Sequence, residues 1–269
     1  MRASSHAQAS HTATPAANAT ASAILAAVRV AVISDIHANL HALEAVLAEV
    51  TRESPDEIWC LGDVVGYGPR PNECCELVRE RADLVLCGNH DLAVIGALDL
   101  EEFSGDAARA ARWTVGVLAD ENRTWLGSLQ PTAARESAEL FHASPRDPVW
   151  DYVLSEQVAL QSLLLTQAPV VLVGHSHVAL ALSTGGADIA GGLAPGGTNV
   201  EFADRRWLFN PGSVGQPRDG DPHAAWLLVD FADNRAGFRR VLYDVEATQA
   251  EIRAAGLPDG LAGRLAHGL

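Results

Sequence analysis

The chain has 269 residues, 48% of them hydrophobic, which is enough to bury one substantial core. Its net charge of −15, from 34 acids against 19 lysines and arginines, argues against a nucleic-acid polymer as partner, since gripping a phosphate backbone takes a basic face that releases counterions. No run reaches the roughly 18 consecutive apolar residues of a membrane span.

In chain order, the first 23 residues are nearly all Ala, Ser, Thr, His, Asn, Gln and Pro, with Arg2 the single charge. Without a compact apolar stretch behind a cationic start, it is not expected to be a secretory signal. Residues 1–27 are predicted to be a disordered tail, which leaves His6 and His11 without weight, and residues 28–269 a single domain. Residues 28–34 form a β-branched run that reads as a strand buried on both faces. It ends at Asp35-Ile36-His37. Asn39 caps a helix in which Leu40, Leu43, Val46, Leu47 and Val50 recur at helical spacing. A second apolar run, Ile58 to Leu61, ends at Gly62-Asp63. After the turn Gly66-Tyr67-Gly68-Pro69-Arg70-Pro71 comes a helix over about 72–81, and then a third strand, Leu84 to Cys87, ending at Gly88-Asn89-His90-Asp91.

The unit of strand, polar loop and helix thus repeats three times, the pattern of a sheet wound by crossover helices, whose functional groups gather beyond the carboxyl ends of the strands. The segment from about 104 to 128 is predicted to be helical, with Ser104 as its cap. Leu140-Phe141-His142 reads as a strand end. A helix over 154–167 precedes the strand Pro169 to Val173, which ends at Gly174-His175-Ser176-His177. From 178 to 243, short apolar runs between turn clusters read as antiparallel strands, with a Gly-rich loop at 185–197. A last helix is placed from Val245 to Ala255. The simplest account is one α/β domain of two packed sheets with helices outside. Cys60, Cys74, Cys75 and Cys87 form no C-x-x-C pair and read as reduced thiols, which points to the cytoplasm.

Five strand-like runs end in a metal-ligand type: Asp35-x-His37, Gly62-Asp63, Gly88-Asn89-His90-Asp91, His142, and Gly174-His175-Ser176-His177. Carboxylates and imidazoles suit manganese, iron, zinc or nickel, and a two-metal site needs about seven donors with one shared. Any one of these residues has a bland reading as a turn, cap or surface group; their recurrence at the same end of each strand does not. His175 and His177 alternate along a segment that, if extended, turns both to one side. Gly62, Gly88 and Gly174 leave room for backbone to approach a ligand.

In that order the motifs resemble those of the calcineurin-like metallophosphoesterases. Gly62-Asp63-Val64-Val65-Gly66, Gly88-Asn89-His90-Asp91 and Gly174-His175-Ser176-His177 carry the resemblance. Val65 to Pro69 and Asn210 to Gly215 look like the small bacterial and archaeal phosphodiesterase branch. The resemblance implies a four-layer α/β/β/α sandwich of two mixed sheets. It implies two divalent cations, manganese first, with iron, nickel, zinc or magnesium as alternatives. One would be held by Asp35, His37, Asp63 and His177, the other by Asp63, Asn89, His142 and His175, with Asp63 bridging. It further implies a shared hydroxide as nucleophile, His90 as general acid oriented by Asp91, and Tyr67 at the substrate mouth. The chain departs from the pattern at Ala38 and Ala143, where the family commonly has glycine. A methyl is tolerated there if the backbone needs no positive φ.

Arg70 and Arg218 follow Gly- and Pro-rich loops and are candidates for gripping phosphate; plain surface arginines are the alternative. His41 is expected to face solvent. The expected function is metal-dependent hydrolysis of a small phosphate ester or nucleotide, as a phosphodiesterase or phosphatase. A non-catalytic binding scaffold on the same fold and a nuclease are the alternatives, and oligomeric state is left open.

Overall fold

The computed structural model describes residues 28–135, 137–186 and 188–269. The predicted tail, with His6 and His11, lies outside the described residues. Strand β1 (Arg29–Ile33), helix α1 (Leu40–Glu53), strand β2 (Glu57–Cys60), helix α2 (Pro71–Arg81) and strand β3 (Leu84–Val85) follow one another as predicted. The three strands pair in parallel. The next elements are α3 (Asn89–Val94), α4 (Gly105–Val117), α5 (Asp120–Leu126), β4 (Thr132–Arg135), β5 (Ala138–Phe141), α6 (Glu156–Leu165) and β6 (Val170–Leu172). The chain continues with β7 (Leu180–Thr184), β8 (Ile189–Leu193), β9 (Asn199–Glu201), β10 (Arg206–Asn210), β11 (Ala224–Asp230) and β12 (Arg235–Val241). It closes with α7 (Val245–Ala254) and α8 (Asp259–Leu265).

Two six-stranded mixed sheets result, ordered β3-β2-β1-β11-β12-β9 and β4-β5-β6-β10-β7-β8. The two-residue period of β1 sorts its side chains. Val30 and Val32 join Leu140, Val170, Leu172 and Phe209 in the core between the sheets, while Ala31 and Ile33 pack with Leu43, Val46 and Val50 of α1. In the second sheet Val171 and Val173 turn outward onto Ala159 and Leu163 of α6 and its approach. Helix, sheet, sheet, helix is the layer order these two alternations produce. Asn39 begins α1 by accepting the Ala42 amide at 3.2 Å, worth about 1 kcal/mol of helix stability. All four cysteines are buried free thiols.

Several expectations need correcting. The helix placed over 104–128 is broken at Leu118 and Ala119, which are extended (ψ 124° and 146°), and Ser104 sits at the N-terminus of α4 without a side-chain cap. The Gly-rich loop contains edge strand β8, in which Gly191 and Gly192 take φ of 114° and 157°; a strand that lacks side chains to pack leaves little apolar pattern. Helix α3 begins at Asn89 itself, so the third motif is a helix start rather than a loop. Helix α8 was not anticipated. With α7 it packs Ile252, Leu257, Leu261 and Leu265 against Ala110, Trp113 and Tyr67. Among the described residues no helix is long and apolar enough to cross a membrane.

Candidate metal centre

The carboxyl ends of β1, β2 and β3 from one sheet and of β5 and β6 from the other meet at one edge. There Asp35, His37, Asp63, Asn89, His90, His142, His175 and His177 are all buried, none more than 3% exposed. Ligand atoms of Asp35, His37, Asp63 and His177 lie within 4.8 Å of one another, as do those of Asp63, His142 and His175. Asp63 belongs to both groups. Its Oδ2 is 3.6 Å from the Nε2 of His37 and 3.6 Å from the Nε2 of His142.

Main-chain carbonyls set the proton on three of the imidazoles. His37 Nδ1 donates to Val65 O at 3.1 Å, His177 Nδ1 to Gln216 O at 2.6 Å, and His142 Nδ1 to Leu61 O at 2.9 Å. A carbonyl only accepts, so each Nδ1 carries the hydrogen and each Nε2 is a bare lone pair. The Nε2 atoms of His37 and His177 nevertheless face each other at 2.9 Å, and His142 Nε2 faces Asn89 Oδ1 at 3.3 Å. Asp63 Oδ2 and His175 Nε2 are buried with no hydrogen-bond partner. Acceptors turned on acceptors, out of water, call for a cation. The donor set of imidazole nitrogen, carboxylate and amide oxygen suits a first-row divalent ion.

Burial dominates the titration of these groups in the cation-free protein. It lifts the Asp35 carboxyl to about 7 and Asp63 well above the carboxylate range, with Asp91 adding to the latter. It drives His90 down to about 3, His175 to about 2, and His37 and His177 well below the usual imidazole range. Burial therefore opposes charge on these groups, and the imidazoles of His37, His175 and His177 stay available as neutral ligands.

The local backbone is strained to make this arrangement. Asp35, His37, Ala38, Asp63, Tyr67, His175 and His177 all take φ between 50° and 62°, a left-handed conformation that costs a non-glycine residue about 1–3 kcal/mol. His175 and His177 converge through these kinks and not by alternation along an extended segment, as the sequence had implied. Ala38, at φ 52°, does occupy the conformation its methyl disfavours, whereas Ala143 has no positive φ. Two glycines are fixed by close approach: a Cβ on Gly88 would lie 2.1 Å from Asp63 Oδ1, and one on Gly66 (φ 91°) would lie 2.5 Å from His90 Nδ1.

The remaining predicted residues divide. Asp91 does not reach the His90 ring. Its carboxylate accepts the amides of Gly88, Val64 and Val65 at 2.9–3.2 Å, and His90 Nδ1 is left buried and unpartnered. Asp91 therefore ties the loop of the second motif to the helix start of the third. Tyr67 lies edge-on to His37 (4.6 Å between ring centroids) and 4.4 Å from His90. Arg218 donates to the Tyr67 hydroxyl at 3.3 Å and to Gln216 Oε1 at 2.9 Å. Arg70 is not free for phosphate, because its guanidinium is bonded to both carboxylate oxygens of Glu251 (3.0 and 2.7 Å) and to Glu73. His41 sits half-buried beside the same Glu251. The segment Asn210 to Gly215 braces the site: Asn210 Nδ2 donates to Gly174 O at 2.7 Å, and Ser213 Oγ to Asp35 O at 2.7 Å.

Three residues at the site were missed. The Tyr152 ring stacks on His175 at 4.1 Å, Phe103 stands edge-on to His90 at 4.9 Å, and Gln216 holds His177. Gln216 directly follows the recognised Asn210–Gly215 segment, which is a signal; Tyr152 and Phe103 lie in connecting segments outside any motif and carry none.

Comparison with known proteins agrees with this geometry. Residues 28–234 match the family model of the calcineurin-like phosphoesterase superfamily domain. The chain is 38% identical over 230 residues, 83% of its length, to an uncharacterized protein of Methanocaldococcus jannaschii, of which the match covers 91%. Its fold superposes with a TM-score of 0.83 on the crystal structure of a metallophosphoesterase from Sphaerobacter thermophilus, at 42% identity over 91% of this chain and all of that one. A hypothetical protein from Pyrococcus horikoshii OT3 shares the fold with a TM-score of 0.73 at 21% identity, over 90% of this chain and 98% of that one. The family implies divalent metals and a hydrolase, and the two overlapping ligand clusters are where such metals fit. This chain is a member of the calcineurin-like phosphoesterase superfamily.

Proposed function

We propose that the protein is a binuclear metal-dependent phosphoesterase acting in the cytoplasm on a small phosphate ester or nucleotide, with manganese as the preferred ion. The observation that carries this reading is the set of bare acceptors at Asp63, His37, His142 and His177, each imidazole fixed from behind by a main-chain carbonyl. Asp35, His37, Asp63 and His177 would hold one cation, Asp63, Asn89, His142 and His175 the other. When bound, two such ions neutralise phosphoryl oxygens and make water a competent nucleophile near neutral pH.

The chain's own groups do the rest. His90, with Nδ1 unpartnered and its ring wedged between Tyr67 and Phe103, is placed to give the leaving oxygen its proton. The anionic phosphate supplies the countercharge that favours the protonated ring, since Asp91 is occupied elsewhere. Arg218, held to Tyr67 and Gln216 at the margin of the site, offers its fork to an anionic group of the substrate.

The test is elemental analysis together with a panel of manganese, nickel, magnesium and zinc against cyclic nucleotides, dinucleotides, bis(p-nitrophenyl) phosphate and p-nitrophenyl phosphate. Two ions per chain with metal-dependent turnover is the expected result. Bound ions without turnover of any ester would make the protein a binding scaffold, and turnover of DNA at low salt a nuclease.

A further inference from the structure

Beside the proposed centre, two guanidiniums lean on one neutral amide. Gln216 Oε1 accepts from Arg218 Nη2 at 2.9 Å and from Arg264 Nη1, on helix α8, at 3.3 Å. The main-chain oxygen of the same Gln216 receives the proton of His177 Nδ1, so the pair is one residue away from a metal-ligand candidate. Arg218 also donates to the Tyr67 hydroxyl, likewise neutral, at 3.3 Å, and lies 5.7 Å from the centre of that ring. Both Nε atoms are buried and have no partner.

Many of the other described arginines are bonded differently, although Arg81 also donates to a neutral hydroxyl, that of Thr51. Arg29, Arg70, Arg79 and Arg240 pair with carboxylates. Arg123 and Arg206 donate to main-chain carbonyls such as those of Val115 and Leu163, near the C-terminal ends of α4 and α6, where the helix dipole favours a cation. Two like charges held on a single oxygen repel each other, and a chain of net charge −15 has carboxylates in excess to separate them. Among the described residues no carboxylate is hydrogen-bonded to either guanidinium.

The ligand count points the same way. Two divalent ions held by the carboxylates of Asp35 and Asp63, with otherwise neutral donors, leave a centre of net positive charge. The two guanidiniums add to it. One phosphate group lying on the ions does not neutralise the adjoining arginines as well.

We propose that Arg218 and Arg264 form a second anion subsite next to the metal centre, so that the substrate is a phosphate ester carrying a second phosphoryl group. This rests on the phosphoesterase reading and narrows its substrate class. Two planar forks converging on one position can bracket a tetrahedral phosphoryl group with charge-assisted hydrogen bonds, displacing the shared Gln216 oxygen as their common acceptor. The first phosphoryl group would lie at the ions and be cleaved; the second would set its register.

The experiment measures binding to the manganese-loaded full-length protein, by calorimetry at fixed excess manganese, of two probes: adenosine 5′-monophosphate and adenosine 5′-diphosphate. Expected is tighter binding of the diphosphate. Arg264→Gln should reduce that preference about tenfold, and Arg264→Lys, which keeps the charge and loses the fork, should restore part of it. Equal losses for both probes, or no change in their ratio, would overturn the proposal. Wild-type turnover of the ester panel above together with adenosine 5′-diphosphate, measured alongside, reports on the phosphoesterase reading separately. An Arg264-dependent preference without any turnover defeats that reading while leaving the subsite standing, and turnover without the preference does the reverse.

Discussion

His37 and His177, 140 positions apart in the chain, bring their Nε2 atoms to 2.9 Å with neither nitrogen carrying a proton. A cation held by both residues would relieve that repulsion. Manganese should therefore stabilise the fold by mass action, about 2.7 kcal/mol at a hundredfold excess over its dissociation constant, and a chelator should reverse the gain. Thermal melts with and without manganese check this. Asp63→Asn should lower the bound metal found by elemental analysis, and unchanged stoichiometry would count against a shared Asp63.

His90→Ala should keep metal and fold but lose about 10²–10⁴ in rate on esters with poor leaving groups. Much less should be lost on p-nitrophenyl esters, whose leaving group needs no proton. Steady-state kinetics on the two ester classes decide it; equal losses on both would remove His90 from leaving-group protonation.

Metal affinity should fall as pH drops through about 7. The sign follows from Asp35, whose carboxyl is lifted by burial to about 7. Below that value the incoming ion must displace a proton from Asp35, and above it Asp35 has none left to give up. His175 and His90, near 2 and 3, are already unprotonated and do not compete. Calorimetry in buffers of different ionisation enthalpy should show more proton release per bound manganese at about pH 6 than at about pH 8. Equal release at both would contradict the assignment.

Ala38→Gly should stabilise the protein. Ala38 takes φ 52° at complete burial, and relieving a left-handed alanine is worth up to about 1 kcal/mol, less what the lost methyl contributed. The converse change, Gly66→Ala, forces a methyl to within 2.5 Å of His90 Nδ1 and should cost both stability and turnover. Urea denaturation midpoints of the two variants should move in opposite directions.

The four thiols should be silent toward thiol reagents in the folded state and react fully after denaturation. Each is buried, and burial pushes the Cys87 thiol up to about 12, so the reactive thiolate is scarce.

Much of this architecture could be read from the residues. The apolar run of β1, the Asn39 cap and the helical stripe of α1 each carry a local pattern, and every proposed ligand falls at the end of such a strand. What escaped was set by distance in sequence or by backbone shape. Arg70 looked available because Glu251, its bidentate partner, lies 181 residues away. Asp91 stands beside His90 in sequence, yet its carboxylate turns to the amides of Val64 and Val65. Strand β8 was hidden by glycines that leave no apolar alternation, and the left-handed turns at His175 and His177 leave no mark in residue type.

The superfamily match ends at residue 234, whereas the α7–α8 hairpin that follows seats Tyr67 and contributes Arg264. The proposed ligands all lie within the matched stretch, whereas the proposed anion subsite draws one arginine, Arg218, from it and the other, Arg264, from beyond it. Replacing the last few dozen residues could redirect what this scaffold accepts without rewriting how it holds its ions.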